Sequence, residues 1–167
     1  DSIAHIHPKG GRLLELGSGT GMVVHGVRSI CGEIVASDVS EYAVEKLKSD
    51  VKKNNWKNVK IIQGDAHKVL EKVEGKFDTI VLNTIVQYFP SLNYLEEVLT
   101  KAKELLSDPG NIYIGDIRHS ELISNFQFTL VTSRPEAFPN MESIQSQVNI
   151  EVAKEREDVI VKEINVM

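Results

Sequence analysis

The sequence predicts an α/β domain, a mostly parallel sheet with helices on both faces. Three observations predict it. Short apolar runs alternate with longer stretches of helical periodicity, the pattern of parallel strands joined by right-handed crossovers. The first run, Arg12 to Leu16, stops at glycine and gives way to a helix, the opening half of a βαβ unit. Finally, Gly17 to Gly21, Asp38, Asp65, Asn83 and Asp116 each follow a predicted strand, and ligands of such sheets bind at the carboxyl ends of strands.

In chain order, Asp1 to Gly11 is a lead-in, and Arg12 to Leu16 is strand one. The first helix, Met22 to Ile30, turns Val23, Val24 and Val27 toward the sheet, with Cys31 as a small apolar residue at its end. Gly32 closes it, and Glu33 to Ala36 is strand two, ending at Ser37-Asp38. Ser40 caps a helix to about Asn54, with Glu41 in its first turn and Ala43, Val44, Leu47 and Val51 on one face. Trp56 packs at the corner that follows. Val59 to Gln63 is strand three, Gly64-Asp65-Ala66 ends it, and a short helix runs from His67 to Val73. Phe77 to Leu82 is strand four. After the loop Asn83 to Pro90, Ser91 caps a helix from Leu92 to Leu106, which Pro109-Gly110 stops. Asn111 to Ile117 is strand five, Glu121 to Val131 a helix, Met141 to about Asp158 a more polar helix, and 159–167 an alternating tail that suits a strand. Met22 and Met141 read as packing residues.

Composition narrows the class. The chain has 167 residues, 41% of them hydrophobic, enough for one domain with a proper core. A net charge of −5 gives no basic surface for nucleic acid. No apolar run is long enough to span a membrane, and no signal segment opens the chain. Cys31 is the single cysteine, which excludes an internal disulfide and fits the cytoplasm. His5 and His7 lie close together without a third ligand, so no metal site is expected.

The glycine loop carries the chemistry. Gly17, Gly19 and Gly21 permit dihedrals that side chains forbid and let a ligand lie against bare backbone. Asp38, about twenty residues on, stands where an acid can accept hydrogen bonds from both ribose hydroxyls of a nucleoside. Asp38 and Asp65 have a plainer reading too, as caps of the helices they precede. A dinucleotide fingerprint wants Gly-x-Gly-x-x-Gly, yet its last position here is Met22, which counts against an NAD enzyme.

With Glu15 in front, Gly-x-Gly-x-Gly resembles the first motif of class I S-adenosylmethionine-dependent methyltransferases, which have a Rossmann-like fold. The resemblance implies that Glu15, Gly17, Ser18, Gly19 and Gly21 cradle the amino-acid end of S-adenosylmethionine. It implies that Asp38 and Val39 hold the ribose, that Gly64, Asp65 and Ala66 meet the adenine, and that Asn83 borders the cofactor. The run Asn83-Thr84-Ile85-Val86-Gln87-Tyr88-Phe89-Pro90, with Tyr94-Leu95, Gly115-Asp116-Ile117-Arg118 and the acidic Glu151 to Asp158, is similar to the N-methyltransferase domains embedded in nonribosomal peptide synthetases.

That narrower resemblance implies N-methylation of an aminoacyl thioester on a carrier protein, beside an adenylation domain of the same synthetase. Asn83 and Gln87 would accept hydrogen bonds from the amine. Tyr88 would do the same or set its ring near the sulfonium. Asp116 and His119 stand on the next strand end, with His119 suited to take the proton. Such domains carry helices before the first motif and continue past the acidic segment, so this chain reads as truncated at both ends. It is expected to be a single domain over 1–167, with a cofactor-binding core at about 11–132 and a partial C-terminal helix and tail at 133–167. Two other readings stay open: a free-standing small-molecule methyltransferase, and a non-catalytic nucleotide-binding module or NAD enzyme.

Overall fold

Strands β1 (Arg12–Leu16), β2 (Glu33–Asp38), β3 (Val59–Gln63), β4 (Phe77–Asn83) and β5 (Leu106–Gly115) form one sheet in the order β3-β2-β1-β4-β5, every adjacent pair parallel. The structure is a computed structural model and describes residues 2–117, 122–133 and 140–157. The helices are α1 (Ser2–Ile6), α2 (Met22–Val27), α3 (Glu41–Lys53), α4 (Ala66–Lys72), α5 (Leu92–Glu104), α6 (Ile123–Thr132) and α7 (Met141–Glu157), with a 3-10 turn at Val86–Tyr88. The expected parallel α/β sheet is what forms. The tail at 159–167 lies outside the described residues.

The chain divides into two compact units. The first comprises the sheet, α1 to α4 and most of α5, from Asp1–Ile85 and Leu95–Asp116; the second comprises Val86–Tyr94 and the described part of 117–167.

In the first unit β1 is central, and Leu13, Leu14 and Leu16 have no solvent exposure. Each such side chain contributes roughly 1.5–3 kcal/mol by leaving water. Burial on both faces explains why these strands read as unbroken apolar runs rather than alternating ones. Leu13 packs with Val24 and Val27 of α2, Leu47 of α3 and Ile34 and Ala36 of β2, and Ile3 of α1 joins them. The strand order reverses direction between β3 and β4, so right-handed crossovers carry α4 and α5 to the opposite face. There Lys101 of α5 pairs with Glu71 of α4 at 2.8 Å. Trp56 packs at its corner as expected, with the His25 ring edge-on at 4.7 Å and the Arg28 guanidinium 4.5 Å from its centre.

Local chemistry sets the elements. The Ser40 hydroxyl accepts from the Ala43 N–H at 3.3 Å and starts α3, while Asn54 and the left-handed Asn55 (φ 55°) end it. In the second unit, Ile123 and Val131 of α6 pack with Ile144, Val148 and Val152 of α7.

Several expectations need correction. Residues 2–6 of the lead-in are helical, and Ile3 joins the core. The helix from Met22 ends at Val27, not Ile30. The α5 helix stops at Glu104, and β5 begins at Leu106, so Pro109-Gly110 lies inside a strand and does not terminate a helix. Strand pairing causes the shift: the Phe77 N–H donates to Leu105 O at 2.8 Å and Phe77 pairs with Leu106. The register slips at Asp78, whose carboxylate instead accepts the Arg12 N–H at 2.7 Å. β5 is an edge strand among those described, so the N–H that Pro109 lacks breaks no ladder. Met22 is 84% exposed and Met141 63%, so neither is a packing residue. Val24 and Val27 carry the buried face of α2, and Met22 points away from both; Met141 is the first residue of α7, a turn before its buried stretch begins.

Candidate functional site

The loop after β1 takes left-handed backbone at alternate residues: Gly17 at φ 75°, Gly19 at φ 51° and Gly21 at φ 92°. The three glycines have different reasons to be glycine. A Cβ on Gly17 would collide with Ile85 Cγ2, and one on Gly21 would lie 2.5 Å from Leu47 Cδ1. A Cβ on Gly19 would meet nothing within 4 Å. Gly17 and Gly21 are therefore closed in by the protein, while Gly19 faces open space that a ligand can occupy.

The loop is tied to the end of β2. The Ser18 N–H donates to Ser37 O at 2.7 Å, and the Ser37 hydroxyl donates to Glu15 O at 3.0 Å. One Asp38 oxygen accepts the Gly19 N–H at 2.8 Å and the other accepts the Ser40 N–H at 2.8 Å. Asp38 thus shapes the turn itself, and Ser40, not Asp38, caps α3.

Beneath this turn Glu15 is 2% exposed, and its Oε2 is buried without a hydrogen-bond partner. Burial, and then the nearby negative charge of Asp38, push its carboxyl up to about 8. An unsatisfied buried acid below an open glycine surface suits a ligand that brings a positive charge. The cradle therefore fits the amino-acid end of a cofactor that carries an ammonium group.

Val39 is exposed next to Asp38, and Gly64 N–H donates to Asp38 O at 3.0 Å. Asp65 caps α4 by accepting the Lys68 N–H at 3.0 Å, and it pairs with Lys68 Nζ at 2.8 Å. Those bonds from Lys68 hold its carboxyl below the usual range. Ala66 follows as the buried first residue of α4, where an amide has no partner within its own helix.

At the ends of β4 and β5, the Asn83 Nδ2 donates to Thr84 Oγ1 at 3.1 Å, and Thr84 Oγ1 donates to Asp116 Oδ2 at 2.8 Å. Asn83, Thr84 and Asp116 thus come together within the first unit. Gln87 and Tyr88 belong to the second unit, where Gln87 is buried and Tyr88 is 64% exposed. Phe89 stacks edge-on against Tyr94 with ring centres 4.9 Å apart. His119 lies outside the described residues. Sequence reasoning named Thr84, Ile85 and Gly115 within the motif runs but gave them no role at the site.

His7 is buried, with Nδ1 2.9 Å from Thr79 Oγ1, and burial lowers its pKa. Among the described residues no cluster of three His, Cys, Asp or Glu side chains could hold a metal ion, and no helix is long and apolar enough to cross a membrane.

A family model for methyltransferase domains matches residues 7–163. The chain is 33% identical over 153 residues to CymA of Salinispora arenicola, a probable nonribosomal peptide synthetase, covering 92% of this chain and 2% of that protein. It is 32% identical over 149 residues to chondramide synthase cmdD of Chondromyces crocatus, covering 89% of this chain and 4% of that one. It thus spans a small fraction of the length of both. The crystal structure of the N-methyltransferase NodS from Bradyrhizobium japonicum superposes with a TM-score of 0.61 at 18% identity, covering 72% of this chain and 65% of that one. The family match runs through the glycine cradle, both strand-end aspartates and the Asn83 corner, and by that match the chain belongs to the S-adenosylmethionine-dependent methyltransferase domain family.

Proposed function

We propose that this domain methylates the α-amino group of an aminoacyl thioester held on a carrier protein in nonribosomal peptide synthesis. The observation that carries the reading is the similarity to a synthetase over 92% of the chain. The run from Asn83 to Pro90 adds to it, because it places several hydrogen-bonding side chains just after a strand end.

When bound, S-adenosylmethionine supplies an electrophilic methyl carbon on a sulfonium. The rest of the work falls to this chain, within a cofactor-binding core of about 11–132. Gly17, Ser18, Gly19 and Gly21 back the amino-acid end, and Glu15 answers its ammonium. Asp38 gives one lone pair of each oxygen to Gly19 and Ser40 and keeps a second for the ribose hydroxyls. Val39 covers the nucleoside, and Gly64, Asp65 and Ala66 meet the adenine.

Asn83 and Gln87 accept hydrogen bonds from the amine and so aim its lone pair, and Tyr88 lies on the same loop. Asp116 and His119 follow β5, with His119 taking the proton once the nitrogen is alkylated. Alignment of this kind contributes about 7–11 kcal/mol without further acid–base chemistry. The carrier protein and the adjoining adenylation domain are the partners.

The test is mass spectrometry of aminoacyl carrier protein incubated with the parent polypeptide and S-adenosylmethionine. A methyl group on the amino nitrogen is the expected product. Methylation of a free amine with none on the carrier-bound one would replace this reading with a free-standing small-molecule enzyme.

A further inference from the structure

Three non-glycine residues have positive φ among the described residues: Asn55, Thr84 (φ 61°) and Asp116 (φ 56°). Asn55 ends α3, a familiar place for asparagine. Thr84 is β-branched, and for such a residue this backbone is an outlier that persists only where the surroundings over-determine it. The surroundings are specific. The Thr84 N–H donates to Gly115 O at 3.0 Å, which extends the β4–β5 ladder past Asn83. That holds the Thr84 hydroxyl between the Asn83 amide and the Asp116 carboxylate.

The polarity of this chain of bonds follows from what each group can do. Carboxylate oxygens of Asp116 only accept, so the hydroxyl gives Asp116 its one hydrogen, 2.8 Å away. Toward Asn83 the hydroxyl can then only accept, so Asn83 must turn its NH2 toward it, at 3.1 Å. The usual ambiguity between amide oxygen and nitrogen is thereby removed. Asn83 Oδ1 is left on the far side, over Gly115, where a Cβ would collide with it. Gly115 keeps that space open for the oxygen.

We infer that Thr84 and Asp116 are positioning residues that lock Asn83 with its amide oxygen turned away from Thr84 and kept as the acceptor, so that the site selects amines that still carry an N–H. An amine can give that hydrogen to Asn83 while its lone pair stays directed at the methyl group; a tertiary amine cannot. This rests on the N-methylation reading above and identifies what enforces it.

The full chain is titrated by calorimetry with S-adenosylhomocysteine. The loaded protein is then titrated, at about pH 9 so that both amines are largely neutral, with alanyl-pantetheine amide and with its N,N-dimethyl counterpart. We expect the dimethyl compound to bind wild type about tenfold more weakly, the value of one hydrogen bond. Thr84→Val should lower primary-amine affinity about tenfold, Thr84→Ser should restore it, and S-adenosylhomocysteine affinity should stay the same in both. Asp116→Asn, whose amide can donate and so reverse the hydroxyl, should repeat the Val result and serves if Thr84→Val does not fold. The Asn83 side-chain amide resonances, identified by their loss in Asn83→Asp, should move in Thr84→Val and not in Thr84→Ser. Equal affinity of wild type for both amines, or primary-amine affinity unchanged in Thr84→Val and Asp116→Asn, would overturn the inference. No binding of the primary amine to the loaded wild type would instead overturn the N-methylation reading beneath it.

Discussion

Glu15 makes the stability of the fold depend on pH. Its folded pKa is about 8 against an ordinary 4.5, so the folded protein holds a proton that the unfolded chain has lost. The associated stability is fully present below pH 4.5, falls as pH rises toward 8, and is gone above it. Glu15→Gln removes this dependence. Thermal melts of the cofactor-free protein should show wild type losing stability between those limits while the Gln variant stays flatter; parallel curves would refute the assignment. The glycines supply a second pair of outcomes. Gly19→Ala should cost about 1–2 kcal/mol of stability, because only its left-handed backbone is strained, yet should weaken S-adenosylhomocysteine binding strongly. Gly17→Ala should destabilise more than that, because its Cβ also meets Ile85. Paired melts and calorimetry separate the two. In the sequence Gly17, Gly19 and Gly21 looked alike, and only the packing around them distinguishes a glycine closed in by protein from one left open for a ligand.

At the scale of elements, what could be read was what local chemistry decides. Ser40 announces α3 by its position before an amphipathic run, and Ser40→Ala should cost about 1 kcal/mol by orphaning the Ala43 N–H, measurable as a lower denaturant midpoint. The strands were legible because double-sided burial leaves long apolar words such as Leu13-Leu14 and Ile80-Val81-Leu82. The turn from α5 to β5 was not, because it depends on Phe77 capturing Leu106 from across the sheet, and no periodicity within the segment records that. The strand-end positions of Asp38, Asp65, Asn83 and Asp116 were visible, but the sharing of Asp38 between two backbone amides was not. Thr84 was named within the Asn83 to Pro90 run, but its left-handed backbone and its bond to Asp116 leave no mark in residue type.

For the whole molecule, the proposed cofactor residues cluster in the unit that contains the sheet. Hydrogen exchange on adding S-adenosylhomocysteine should slow amides at 17–21, 38–39 and 64–66, and ligand at a hundred times its Kd should raise stability by about 2.7 kcal/mol. Protection confined to α6 and α7 would place the ligand elsewhere. The strand order also fixes when this capacity arises during synthesis. The partners of β1 are made at different times: β2 follows it directly in the chain, whereas Thr79, which pairs with Leu13, and Ile85, which packs on the glycine loop, come more than sixty residues later. Until then a nascent chain presents one bare apolar border of β1, the kind of surface that chaperones shield and that invites aggregation. The surface proposed for the methyl donor is thus incomplete until the fourth strand slots in beside the first.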